Sequence, residues 1–133
     1  MSMDIDFKIE LPQTETTPYV LIEHPDHDKG YMMFKGECYS ENVIAFFQNI
    51  TNWLSIFLNT NFSELTFDCE LEYFNSSTSK LLYNILKAME ACAADGKKII
   101  VNWYVDQDND IMIEHGEDFQ DELENLEFNI VKH

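Results

Sequence analysis

The stretch Leu65-Thr-Phe-Asp-Cys-Glu-Leu-Glu-Tyr73 decides the fold. Leu65, Phe67, Cys69, Leu71 and Tyr73 alternate with Thr66, Asp68, Glu70 and Glu72, and a period of two is that of a strand. Acids on every second position predict one face on a core and the other toward water. A sheet containing this strand therefore carries its helices mainly on one face.

Amphipathic helices are predicted on both sides of the strand. Upstream, Val43, Phe46, Phe47, Ile50, Trp53, Leu54 and Phe57 recur at spacings of three and four, forming one apolar stripe to about Leu58. Ser40 is the expected N-cap, with Glu41 in the first turn. Downstream, Leu81, Leu82, Ile85, Leu86, Met89, Cys92 and Ala93 form a second stripe, and Gly96 is its stop.

Beyond these lie further strands. Tyr19-Val-Leu-Ile22 and Tyr31-Met-Met-Phe-Lys35 predict an antiparallel hairpin. Ile99 to Val105 reads as apolar on both faces, hence central. Ile111 to about Glu124 predicts an acidic helix interrupted by Gly116, and Leu126 to Val131 a last strand. Residues 1–16 lack periodicity and read as a flexible lead-in to a single domain over 17–133. The expected fold is α/β: one mixed sheet in the order β-β-α-β-α-β-α-β, with parallel right-handed crossovers.

Composition narrows the function. The 133 residues carry 25 acids against 8 basic residues, all of them lysine, for a formal net charge of −17. Nucleic acid and anionic lipid would be repelled, because both are bound through clustered lysine and arginine. Eighteen aromatics and a 45% hydrophobic fraction exclude an acidic disordered tail. No segment reads as a signal peptide or membrane helix. Cys38, Cys69 and Cys92 are too few and too scattered for a disulfide framework. A cytoplasmic monomer is expected, self-repulsion opposing association.

Catalysis finds little support. Four glycines leave almost nothing from which to build a phosphate loop, and no nucleophile elbow is present. No cofactor is implied. His24 and His27 flank Asp26 in the hairpin loop, where a metal could bind adventitiously; His115 and His133 stand apart. Asp106, Asp108, Asp110 and Glu117 follow calcium-loop spacing, but Ile111 stands where that loop needs its turn glycine. A solvated acidic loop is the commoner meaning. A calcium- or metal-binding protein using Asp106–Glu117 is the alternative function.

The segment Asn75-Ser76-Ser77-Thr78-Ser79-Lys80 is the most unusual in the chain. It opens the second helix, where unsatisfied N–H groups and the positive dipole end favour an anion. A hydroxyl there can cap the helix or accept a phosphoryl group, which would gain the same donors. Lys80, four residues after Ser76, could supply a counter-charge. Seen as residues alone, a serine-rich cap with no further role is the commoner case.

Tyr73-Phe-Asn-Ser-Ser-Thr-Ser-Lys80 resembles the Y-x-N-T-S-S-x-K signature of the SiaC family of bacterial regulatory phosphoproteins, whose fold is similar to STAS domains and anti-sigma-factor antagonists. Gly36-Glu-Cys-Tyr-Ser-Glu-Asn42 is similar to that family's G-x-S-Y-P-E-N, and Val101-Asn-Trp-Tyr104 to its V-x-W-Y strand. Gly116-Glu-Asp-Phe119 after the acidic loop also fits.

The resemblance implies a partner switch without enzymatic activity. A Ser/Thr protein kinase modifies a threonine of the N-T-S-S segment, and a PP2C-type phosphatase restores it. The unmodified form activates a GGDEF-type diguanylate cyclase, linking the switch to cyclic-di-GMP and biofilm control. By position the acceptor is Ser76, with Ser77 and Thr78 as alternatives. Tyr73, Asn75, Ser76, Ser77, Thr78 and Lys80 are the expected partner-binding residues, and the new charge is expected beside Glu70 and Glu72.

Overall fold

The computed structural model describes residues 8–24 and 28–133. In chain order these form β1 (Lys8–Leu11), β2 (Tyr19–Glu23), β3 (Lys29–Cys38), α1 (Val43–Leu58), β4 (Glu64–Phe74), α2 (Ser76–Ala94), β5 (Lys98–Val105), α3 (Asp110–Glu122) and β6 (Glu127–Lys132). The strands lie side by side in chain order in one mixed sheet. The pairs β1–β2 and β2–β3 are antiparallel, whereas β3–β4, β4–β5 and β5–β6 are parallel. Each parallel pair is joined through a helix, as strand–helix–strand spacing requires.

Register places the core on one face. Val20 pairs with Phe34, Phe34 with Cys69, Cys69 with Trp103, and Val101 with Phe128. All of these are buried, and the helices supply Phe47, Ile50, Phe57, Leu82, Leu86 and Met112 against them. Phe34 meets Phe47 of α1 and Phe67 of β4 at ring-centroid distances of 5.1 and 4.9 Å. A buried phenylalanine contributes about 1.5–3 kcal/mol.

The opposite face is half-exposed and polar. Tyr31 Oη donates to Asp68 Oδ2 at 2.7 Å, Asn102 Nδ2 to Asp68 Oδ1 at 2.9 Å, and Asn129 Nδ2 to Asn102 Oδ1 at 3.1 Å. This ladder crosses four strands. The acids of β4 thus face away from the helices, as the alternation required.

Several expectations are corrected. The lead-in over 1–16 is not wholly irregular, because β1 pairs with β2 and extends the fold ahead of residue 17. Ile9 and Leu11 alternate with charged residues and pack against the core edge. Ser40 is not the N-cap of the first helix. That position is Asn42, whose side chain makes no capping bond, and Ser40 Oγ instead accepts from Asn42 N–H at 3.2 Å. Glu41 consequently lies before the helix, leaving no acid in its first turn.

The strand β5 is not covered on both faces. Ile100, Asn102 and Tyr104 are half-exposed, and β6 closes the sheet beside it. In the hairpin loop, Asp26 and His27 lie outside the described residues. His24 is buried, its ring edge-on to Phe57 at 5.2 Å.

Gly116 does not interrupt the acidic helix. It lies within α3, where a Cβ would come 2.6 Å from Trp103 Cδ1. The indole fills the space that a side chain would occupy and donates from Nε1 to the Met112 carbonyl at 2.9 Å. Glycine is there for close approach.

Candidate functional site

The carboxyl ends of β3, β4 and β5 and the amino ends of the three helices share one end of the molecule. Here β4 breaks its alternation. Gly36 of β3 pairs with Leu71, but Glu37 pairs with Tyr73, so Glu72 is the extra residue of a bulge. Gly36 adopts φ +122°, a conformation that favours glycine. The inserted residue turns Tyr73 outward and Phe74 inward, against the strict alternation that predicted Tyr73 on the core face. Tyr73 is half-exposed and meets Tyr39 edge-to-face at 5.7 Å.

Asn75 follows in extended conformation and caps α2. Its Oδ1 accepts from Thr78 N–H at 2.9 Å, and its own N–H donates to the Cys38 carbonyl at 3.3 Å. The cap is therefore an asparagine, which leaves the hydroxyls to other duties.

Those hydroxyls are not equivalent. Thr78 is fully buried; its Oγ1 donates to the Cys38 carbonyl at 3.0 Å and also approaches Cys38 Sγ at 3.3 Å. Burial raises the Cys38 thiol above its ordinary pKa, with the Thr78 hydrogen bond opposing. Ser79 is half-buried. Ser76 and Ser77 are exposed, and neither side chain makes a hydrogen bond within the described residues. Of the partner-binding residues expected from sequence, Tyr73, Ser76, Ser77 and Lys80 reach solvent, Asn75 is half-buried and Thr78 is sealed in.

A groove of about 650 Å³ separates α2 from α3. Ser76, Ser79 and Lys80 line one wall, and His115, Asp118 and Glu122 the other. His115 rests on Phe74 with ring centroids 4.7 Å apart, which brings α3 against the end of β4. Glu70 and Glu72 do not line this groove. They line a second one, of about 560 Å³, with Asp106, Asp108, Tyr104 and His133. The acids expected next to Ser76 therefore belong to a neighbouring surface.

The calcium-like spacing does not gather its ligands. Asp106 Oδ1 accepts from Asp108 N–H at 2.8 Å, and Asp110 and Glu117 lie on α3, which Asn109 caps. Among the described residues no group of three or more His, Cys, Asp or Glu is placed to hold a metal ion. A helix has replaced the coordinating loop.

Two features escaped the sequence reading: the exposure of the Tyr39–Tyr73 pair and the burial of Thr78. The second had a signal. Thr78, Leu82, Ile85 and Met89 continue one stripe at spacings of four, three and four, and all four are buried.

Residues 11–133 match the family model described as SiaC family regulatory phosphoprotein. The chain belongs to the SiaC family. An uncharacterised protein of Pseudomonas aeruginosa strain UCBPP-PA14 is 27% identical over 114 residues, covering 86% of this chain and 88% of that protein. Among solved structures, SiaC of Pseudomonas aeruginosa shares the fold with a TM-score of 0.77 at 24% identity, over 96% of this chain and 99% of that one. A second is the crystal structure of diguanylate cyclase SiaD in complex with its activator SiaC, also from Pseudomonas aeruginosa. That match has a TM-score of 0.80 at 27% identity, over 94% of this chain and 99% of the other. The match to the SiaC family includes the whole of α2 and its serine-rich opening. No helix among the described residues is long and apolar enough to cross a membrane.

Proposed function

We propose that this chain is a non-enzymatic switch. It binds a GGDEF-type diguanylate cyclase while Ser76 is unmodified and releases it once a Ser/Thr kinase has phosphorylated Ser76; a PP2C-type phosphatase restores binding. The output is cyclic-di-GMP, which places the module in the cytoplasm with its cyclase. Membership of a family of regulatory phosphoproteins supports this reading, as does the likeness to an activator seen in complex with a cyclase.

One observation carries the choice of acceptor. Ser76 is an exposed hydroxyl at the first position of α2 that neither caps the helix nor bonds to any of the described residues. Ser77 shares its exposure and is the second candidate. Thr78 would have to leave the core and break its bond to Cys38 before any kinase could reach it.

The chemistry follows from the location. A phosphoryl group adds a charge of about −1.5 to −2. At the first turn it meets the helix dipole, worth about 0.3–1 kcal/mol when exposed, and Lys80 stands one turn on. The folded chain tolerates the modification. A partner that has packed against this end must instead desolvate a dianion, and that cost falls on the complex alone. Release without unfolding is the expected result.

Coexpression with the Ser/Thr kinase of the same genome, followed by peptide mapping, tests the acceptor. One phosphate on Ser76 is expected, and none on the Ser76→Ala chain. Phosphate confined to Thr78 or to a site outside 75–80 would overturn the assignment.

A further inference from the structure

Six large apolar side chains are exposed among the described residues: Tyr39, Ile44, Ile56, Tyr73, Ile111 and Val131. Five of them lie at one end. Tyr39 and Tyr73 close β3 and β4, Ile44 and Ile111 open α1 and α3, and Val131 is near the end of β6. Ile56, in the last turn of α1, is the exception. Ile44 is 70% exposed, Ile111 67% and Tyr73 51%, values at odds with a surface meant only for water. Asn109 Nδ2 donates to the Glu72 carbonyl at 3.1 Å, so the start of α3 is fastened beside Tyr73.

The same end is acidic. The groove containing Glu70, Glu72, Asp106 and Asp108 has His133 and no lysine in its lining, and Glu41 and Asp110 add to the negative field. Lys35, the register partner of Glu70 on β3, Lys80 and Lys132 are the basic residues toward this end. Glu70 lies 3.7 Å from His133 Nε2 and opposite Lys35, but Glu72, Asp106 and Asp108 have no ion pair among the described residues. Apolar anchors beside such carboxylates describe the complementary surface: apolar side chains flanked by lysine or arginine. A second copy of this chain does not fit, since two ends of like charge on molecules of net charge −17 repel.

We infer that the carboxyl end of the sheet is the docking surface, and that its occupant is a partner segment with an apolar ridge bordered by Lys or Arg. The ridge packs on the Tyr39–Tyr73 pair, and the basic border enters the groove of Glu70, Glu72, Asp106 and Asp108. This rests on the proposed function and adds the partner's chemistry to it. It also explains the leverage of Ser76, three residues beyond Tyr73 at the margin of the apolar contact. A phosphoryl group there must be desolvated by the ridge, whereas the basic border sits in the neighbouring groove, which Ser76 does not line. Tyrosines suit the role because a large rigid ring loses little conformational freedom on binding.

The test uses two synthetic helical peptides with the same leucine ridge, one bordered by lysines and one by glutamates, titrated into the full chain and followed by NMR. The lysine peptide should shift the resonances of Tyr39, Tyr73 and Ile111 and bind more weakly as salt rises; the glutamate peptide should not shift them. Tyr73→Ala and Glu72→Lys should each weaken binding at least about tenfold, and Ile56→Ala should leave it unchanged. Equal binding of both peptides, binding elsewhere, or no binding of the lysine peptide overturns the inference. The GGDEF cyclase separates this result from the proposed function. Cyclase binding that ignores Tyr73→Ala and Glu72→Lys overturns the surface alone. A chain that takes the lysine peptide but no cyclase retains the surface and loses the proposed function.

Discussion

The hydroxyl of Thr78 donates to the carbonyl oxygen of Cys38 at 3.0 Å across forty residues of chain, fastening the first turn of α2 to the end of β3. The position of Ser76 depends on that fastening. Replacing Thr78 with valine keeps the volume and removes the donor. The Cys38 carbonyl retains the Asn75 N–H at 3.3 Å, so the loss is that of one buried hydrogen bond. We expect a cost of about 1–2 kcal/mol, read as a lower urea midpoint with unchanged slope.

The cap should separate Asn75 from its neighbours. Asn75 Oδ1 accepts from Thr78 N–H, whereas the Ser76 side chain bonds to nothing within the described residues. Asn75→Ala should cost about 1 kcal/mol, and Ser76→Ala should stay within about 0.5 kcal/mol of wild type. Equal losses in the two variants, measured by denaturation, would contradict the assigned cap.

Gly116→Ala sets two effects against each other. Helix propensity favours alanine by about 1 kcal/mol. The added Cβ, however, would come 2.6 Å from Trp103 Cδ1, and that indole is buried and held by its bond to Met112. Overpacking of this kind costs about 1–3 kcal/mol. Clash should win, giving a net loss of stability with an altered tryptophan near-ultraviolet signal.

Alkaline pH should loosen the open face of the sheet. Burial, reinforced by the hydrogen bond to Asp68, holds the Tyr31 phenol well above its ordinary pKa. The folded chain therefore keeps its proton after the unfolded chain has lost it. The resulting stability is complete below about pH 10 and falls as pH rises further. Tyr31→Phe should show a shallower loss above that pH. Part of the loss should persist, because Tyr19 and Tyr104 are raised in the same direction. Denaturant midpoints measured from pH 9 to 11 would show the difference (a range about one unit either side of the tyrosine value).

Much of this architecture was legible in the residues. The alternation of Leu65 to Leu71 gave the one-sided sheet, and the stripes of α1 and α2 gave the helices that cover it. Failures came where local pattern met tertiary geometry. Strict alternation could not show that one extra residue opposite Gly36 turns Tyr73 out to solvent. Ile9 and Leu11 form too short a run to declare a strand before β2 offers an edge to pair with. At the candidate site, sequence singled out the hydroxyl run without ranking its members. Only packing divides Thr78, drawn into the core, from Ser76 and Ser77 on the surface. The calcium-like spacing misled because Asp110 begins a helix, which carries Glu117 away from the preceding carboxylates.

Calorimetric titration of the GGDEF cyclase tests the switch most directly, using the unmodified chain and the same chain phosphorylated on Ser76. The unmodified chain should bind, and phosphorylation should weaken it at least about tenfold, or about 1.4 kcal/mol. Ser76→Ala should bind like wild type before and after kinase treatment. A phosphorylated chain that binds the cyclase as tightly as the unmodified one would contradict the account.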